Sequence, residues 1–207
     1  AVGDLAAVAK IHQLAFPESA LTHLGQEAVR RYYEWQLTGP HDVLALGAFQ
    51  ESDLVGFCFG GIFRGALSGF VEKNKGFLLA KVLSHPELVF RADFRSKLRM
   101  GLAAAGVPKR KRQLTSSHLP RSKLFGILSI AVSPESQGLG VGKKLMSACE
   151  SFALDQKFDE MLLTVMPQNQ QAISFYSALG WKKISSDAGW SGKMHKNLKD
   201  VRSELLP

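Results

Sequence analysis

Leu124-Phe125-Gly126-Ile127-Leu128-Ser129-Ile130-Ala131-Val132 runs through Ser133-Pro134-Glu135-Ser136 into Gln137-Gly138-Leu139-Gly140-Val141-Gly142, and this stretch decides the fold. Leu124–Val132 is largely apolar, which predicts a strand that breaks at Ser133-Pro134. Beyond the glycines, Val141, Leu145, Ala148-Cys149 and Phe152 recur at helical spacing, so the glycine-rich turn joins a strand to a helix. Glycines there let backbone N–H groups approach a phosphate with no Cβ in the way. The helix start adds unpaired donors and the positive end of a dipole. Each such charge–dipole contact contributes about 0.3–1 kcal/mol when exposed and up to ~2 kcal/mol when partly buried. The motif is not a P-loop, since no Gly-Lys-Ser/Thr follows at the required spacing. Nor is it a dinucleotide fingerprint, which needs a first βαβ unit and an acid about 20 residues on.

Downstream, Met161–Val165 reads as a strand and Asn169 as the cap of a helix running to Leu179. Gly180 ends that helix, Trp181–Ile184 starts another strand, and Gly192–Asn197 supplies a last one. Strand, helix, strand, helix, strand predicts an α/β chain (α+β by some schemes) with a mixed sheet and helices on its faces. Upstream, Asp4 can cap a helix whose apolar positions are Leu5, Val8, Ile11 and Leu14-Ala15, ending before Pro17. A second helix is expected over Gln26 to Leu37, with Ala28, Tyr32, Trp35 and Val29 inward, stopped by Gly39-Pro40. Val43–Phe49 and Leu54–Phe63, separated by Gln50-Glu51-Ser52-Asp53, read as an antiparallel hairpin. Residues 65–122 are the least legible. Phe77–Leu83 and Leu88–Leu102 have helical character, and Gly106–Pro120 reads as a polar, basic, mobile loop. The opening Ala1-Val2-Gly3-Asp4 lacks a methionine and reads as trimmed from something longer.

At 207 residues the chain suits one domain over 1–207 with an insertion at about 65–122. No apolar run reaches the ~20 residues needed to span a membrane and no signal-peptide pattern is present, so a cytoplasmic protein is the expectation. Cys58 and Cys149 lie in apolar segments and read as buried free thiols. No Cys/His cluster has metal-ligand spacing, so no metal is expected. The net charge of +8 is concentrated between Arg91 and Lys123, where ten Lys and Arg face the single acid Asp93. Three explanations fit: a solvated loop, an electrostatic site for a phosphorylated ligand, or a nucleic-acid surface. The last ranks lowest, because no aromatics are interleaved for stacking on bases.

The second informative segment is Asn169-Gln170-Gln171-Ala172-Ile173-Ser174-Phe175-Tyr176-Ser177-Ala178-Leu179-Gly180-Trp181. Together the two segments resemble the GNAT N-acetyltransferase superfamily, with a close match over 124–181. Its pyrophosphate loop, Gln/Arg-x-x-Gly-x-Gly/Ala, is matched by Gln137, Gly140 and Gly142. Its later signature, Asn-x-x-Ala-x-x-Phe-Tyr-x-x-x-Gly-Phe, is matched by Asn169, Ala172, Phe175, Tyr176, Gly180 and, with Trp for Phe, Trp181. Ile130, Val132 and Pro134 keep the family's Ile-x-Val-x-Pro rhythm.

The resemblance implies the GNAT acyl-CoA N-acyltransferase fold, with a mostly antiparallel sheet, helices on both faces and a V-shaped splay between central strands. It implies acetyl-CoA as cosubstrate, with Ile130, Ala131 and Val132 flanking the pantetheine arm. Backbone N–H groups of Gly138, Leu139, Gly140, Val141, Gly142 and Lys143, beside Gln137, would hold the pyrophosphate. Asn169 would bond the pantetheine, and Tyr176 would bind the cofactor and act as the general acid on the departing thiolate. Many relatives carry a carboxylate base on the strand before the loop, where Ser129 stands here. Glu18, His23, His41 and His118 are the candidate bases, beside a water chain. The acceptor is expected to be a small-molecule amine, in particular an anionic amino sugar or nucleotide-linked sugar, in keeping with the basic segment. The alternatives are a protein or peptide amine, or a non-catalytic acyl-CoA sensor. A monomer or homodimer is expected.

Overall fold

The computed structural model describes residues 2–85, 123–187 and 189–199. The Leu88–Leu102 helix, the Gly106–Pro120 loop and the basic segment apart from Lys123 therefore lie outside the described residues. The elements in chain order are α1 (Leu5–Ala15), α2 (Ala20–His23), α3 (Gln26–Thr38), β1 (Asp42–Gln50), β2 (Asp53–Ile62), α4 (Ala66–Ser84), β3 (Leu124–Val132), α5 (Val141–Asp155), β4 (Glu160–Thr164), α6 (Gln170–Ala178), β5 (Lys182–Ser186) and β6 (Gly189–Asn197). A 3-10 turn at Val2–Asp4 precedes α1. Asp4 holds the capping position of α1, but its side chain makes no capping bond.

The described strands form one six-stranded sheet in the order β1-β2-β3-β4-β6-β5. Every pairing is antiparallel except β3 with β4, which is parallel. Helices cover both faces. On one, α1 and α3 bury Leu5, Val8, Ile11, Val29 and Tyr33 against Phe57 and Phe59 of β2. On the other, α5 and α6 bury Leu145, Met146, Cys149 and Ile173 against Phe125, Met161, Leu163 and Met194. Burying each large apolar side chain in these layers contributes about 1.5–3 kcal/mol.

Two backbone features position the site. First, β3 pairs with β4 only through Leu124, Phe125 and Gly126, opposite Glu160, Met161 and Leu162. Beyond Gly126 it pairs with β2 alone, out to Val132 opposite Gly56. The two central strands part there, giving the splay. Second, the β2–β3 register shifts: Phe59 faces Ser129 while Gly60 faces Ile127, so Leu128 is the extra residue of a bulge. The bulge reverses the alternation of β3. Phe125 and Ile127 face α5, whereas Leu128, Ser129 and Ala131 face α1 and α3.

Gly60 permits this crossing, because a Cβ there would lie 2.5 Å from the Phe125 ring. Cys58 and Cys149 are buried free thiols, with Sγ atoms 3.3 Å apart between β2 and α5. Contact with Cys149, then burial, pushes the Cys58 thiol upward in pKa. Among the described residues no helix is long and apolar enough to cross a membrane. Among them, too, no group of three or more His, Cys, Asp or Glu is placed to hold a metal ion.

Candidate active site

A cleft of about 530 Å³ opens where β3 and β4 diverge. Its walls come from three places in the chain: the end of β3, the turn into α5 with the first residues of that helix, and α6. Ala15 and Phe16, at the end of α1, close a fourth side. Of the residues expected from the sequence, Ile130, Ala131, Val132, Gln137, Gly138, Gly140, Val141, Gly142, Lys143, Asn169 and Tyr176 all line the cleft. Leu139 does not; it sits at the turn's apex with 67% of its surface exposed. Ser136, Gln171, Ala172, Phe175, Ala178 and Leu179 join the lining.

The turn into α5 is held open by its glycines. Gly138 and Gly140 have φ of 77° and 79°, left-handed values that disfavour any side chain. A Cβ at either would meet no protein atom within 4 Å, so both backbones face open space. Gly140 stands at the N-cap of α5, and the first regular helical bond there is Lys144 N–H to Gly140 O at 3.0 Å. The N–H groups of Val141, Gly142 and Lys143 thus precede any helical acceptor. Gln137 braces the turn from the strand side by donating from Nε2 to Val132 O at 3.2 Å. The arrangement is an anion cradle built from main chain.

On the opposite wall, Asn169 caps α6, its side chain accepting from Ala172 N–H at 3.0 Å. That bond uses Oδ1 and leaves the amide Nδ2 as a donor. Two turns on, Tyr176 is 9% exposed, its ring edge-on to Phe175 at 5.2 Å and tilted against Trp181 at 6.1 Å. Burial, with a smaller contribution from Cys58, pushes its phenol upward in pKa, so it carries its proton at neutral pH. A protonated phenol within an apolar wall can donate to a developing anion.

The candidate bases separate. Glu18 and His23 lie 3.7 Å apart around α2 and neither lines the cleft. His41 accepts from Arg64 N–H at 3.0 Å, packs against Trp35 and Phe63, and also lies away from the cleft. His118 is outside the described residues. What the structure places at Ser129 instead is a buried polar chain. Tyr33 donates its hydroxyl to Ser129 Oγ at 2.8 Å, and the same hydroxyl lies 2.9 Å from His12 Nδ1. His12 Nε2 lies 3.1 Å from Ser19 Oγ, which contacts Thr22 Oγ1 at 2.9 Å.

His12 was not a sequence candidate. It sits four residues after Val8 on the apolar stripe of α1, and a single histidine there carries no motif. Burial lowers its pKa from 6.5 to about 4. The unfolded chain therefore takes up this proton below about pH 6.5, and the folded chain only near pH 4. In that window the unfolded state binds more protons, so stability falls as the pH falls, by up to about 3 kcal/mol from this one group. Urea unfolding at pH 7.5 and pH 4.5 should show that loss, and His12→Gln should flatten it; equal acid sensitivity in both proteins would contradict the assignment.

With this geometry in view, similarity to known proteins is informative. Residues 100–181 match the acetyltransferase (GNAT) family model. The thialysine N-epsilon-acetyltransferase of Bos taurus is 34% identical over 61 residues, 30% of this chain and 36% of that protein. The mycothiol acetyltransferase of Paenarthrobacter aurescens is 32% identical over 78 residues, covering 38% of this chain and 24% of that protein. The matches thus span about a third or less of those relatives' length. Over 95% of its length the chain superposes on 94% of the PaiA N-acetyltransferase of Thermoplasma acidophilum, solved in complex with coenzyme A, with a TM-score of 0.56 at 16% identity. The family match is thus confined to residues 100–181, and the described chain shares the fold of that solved N-acetyltransferase.

Proposed function

We propose that the protein is an acetyl-CoA-dependent N-acetyltransferase, a single GNAT domain over 1–207 in which 65–122 is an insertion. The observation that carries this reading is convergence: the glycine cradle at α5, the Asn169 amide and the Tyr176 phenol all line one cleft along the parted edge of β3. The cradle fits a pyrophosphate, because the space beside Gly138 and Gly140 holds no protein atom and the first N–H groups of α5 have no helical acceptor. The unpaired run of β3 fits the pantetheine amides, which would bond to it as an added strand does. A neutral amine attacks the acetyl carbon, a main-chain N–H near Ile130 stabilises the developing oxyanion, and Tyr176 protonates the departing sulfur.

The acceptor is a primary amine. The basic stretch Arg91–Lys123 supports an anionic one, an amino sugar or nucleotide-linked sugar. A peptide amine is favoured by a different feature, an apolar pocket of about 220 Å³ between α2, α3 and α4, walled by Leu21, Leu24, Phe70, Leu78 and Val82. Such a pocket suits an apolar side chain of a peptide acceptor. Intact Asn169 and Tyr176 weigh against a non-catalytic sensor. The protein is read as a cytoplasmic monomer or homodimer.

The test is thiol release from acetyl-CoA across thialysine, an amino-sugar phosphate and short peptides with free N-termini. Turnover with any of them supports the reading and ranks the acceptors. Tight coenzyme A binding with no turnover throughout would support the sensor instead.

A further inference from the structure

We infer that Ser129, Tyr33 and His12 form a proton relay that carries the proton released by the acceptor amine away from the cleft to Ser19. The inference rests on the acetyl-transfer reading of the same site. Amine attack on a thioester leaves a positively charged nitrogen that must lose a proton before the C–S bond breaks. The cleft offers no carboxylate for this: its lining contains no Asp or Glu among the described residues.

Ser129 does not itself line the cleft; it lies between bulge residue Leu128 and cleft-lining Ile130, on the face it shares with cleft-lining Ala131. Its side chain is aimed toward α1 and α3, the side from which the relay requires the amine to approach. It is half-buried. Tyr33, its partner, is 0% exposed and His12 6%. The His12 ring also packs edge-on to Phe16, a wall of the cleft, at 4.9 Å. The chain thus runs directly behind the cleft, from half-buried Ser129 through a buried middle to half-buried Ser19, beside the apolar pocket.

Every member can both give and take a proton, and hydroxyls and imidazole permit either sense of bonding. With Tyr33 donating to Ser129, His12 donates from Nδ1 to Tyr33. With the sense reversed, Ser129 donates to Tyr33, Tyr33 to Nδ1, Nε2 to Ser19 and Ser19 to Thr22, whose hydroxyl donates to Phe16 O at 2.7 Å. No donor in that arrangement lacks an acceptor. From it, an N–H bond of the adduct breaks as a Ser129 O–H bond forms. The Ser129 proton passes to Tyr33 Oη, the Tyr33 proton to Nδ1, and the Nε2 proton to Ser19 and solvent. The C–S electron pair leaves on sulfur, which takes the Tyr176 proton; Tyr176 regains one from solvent. Burial keeps His12 neutral at rest, so the ring passes the proton on rather than retaining it.

The test uses Tyr33→Phe, which keeps the ring, and His12→Gln, which keeps hydrogen bonding but cannot shuttle a proton. With the alkyl amine of the panel that turns over, kcat should fall roughly 10- to 100-fold in both, with KM for acetyl-CoA unchanged. Hydroxylamine, largely unprotonated and a weaker base, should be acetylated by the variants within about 3-fold of the wild-type rate. Equal losses with both acceptors would show a structural role and overturn the relay. Unchanged kcat with the alkyl amine would also overturn it. No turnover by the wild-type protein with any amine would remove the reading beneath it.

Discussion

Tyr176→Phe is expected to lower kcat for acetyl transfer by roughly 100-fold or more while leaving coenzyme A affinity and folding stability close to wild type. Three observations separate chemistry from structure here. The ring keeps its contacts with Phe175 and Trp181 when the hydroxyl is removed. No described residue bonds that hydroxyl, so the change strands no protein donor or acceptor among them. The phenol sits 9% exposed in the cleft wall, where water replaces it poorly as an acid. A phenol with a raised pKa can still protonate a thiolate, because the dry wall that raises the phenol also raises the proton affinity of the sulfur. Single-turnover thiol release, coenzyme A titration calorimetry and thermal melts together measure the effect. An unchanged chemical step on a good acceptor would end the general-acid assignment.

Gly140→Val is expected to weaken coenzyme A binding by about 100-fold or more. It combines two effects that a control can separate. At φ 79° any L-residue is strained, at a cost of roughly 1–2 kcal/mol, which lowers the melting temperature by several degrees. The valine methyls would project into space that holds no protein atom within 4 Å, the cradle facing the N–H groups of α5. Gly140→Ala carries comparable backbone strain with less bulk, so it should melt like the valine variant but bind coenzyme A better. Wild-type affinity in Gly140→Val would show that this turn does not receive the pyrophosphate.

The sequence announces the half of the molecule that binds with main chain and hides the half that works through side-chain pairing. Leu124–Val132 as a strand, the turn into α5, the Asn169 cap and the hairpin of β1 and β2 all match their expected places, within a residue or two at the ends. Local chemistry fixes each of them: glycine at positive φ, a capping amide, a two-residue turn. On α1 and α3 the expected Leu5, Val8, Ile11, Ala28 and Val29 are buried and Tyr32 packs half-buried against them, but the faces extend further than the apolar positions. Leu14 is 51% exposed while His12 is buried, and Tyr33 and Gln36 are fully buried beside the expected Tyr32 and Trp35. Hydrophobic periodicity misses a face whose interior includes polar side chains, here His12 and Tyr33 bonded to each other and Gln36 donating to Ala66 O. The bulge at Leu128 escaped for a related reason: only pairing with Phe59 and Gly60 reveals it. The approach of Cys58 to Cys149, 91 positions apart, leaves no trace in composition.

The brief contact of β3 with β4 has a consequence for solubility. An open strand edge normally recruits the edge of another molecule's sheet, and exposed edges are where folded proteins begin to aggregate. Here the edge beyond Gly126 is internal, set at the base of a cleft between α5, α6 and the end of α1. It stays available to one slender chain, while the flanking helices obstruct a whole sheet. The fold thereby keeps a reactive edge open without presenting it to its neighbours in a crowded solution.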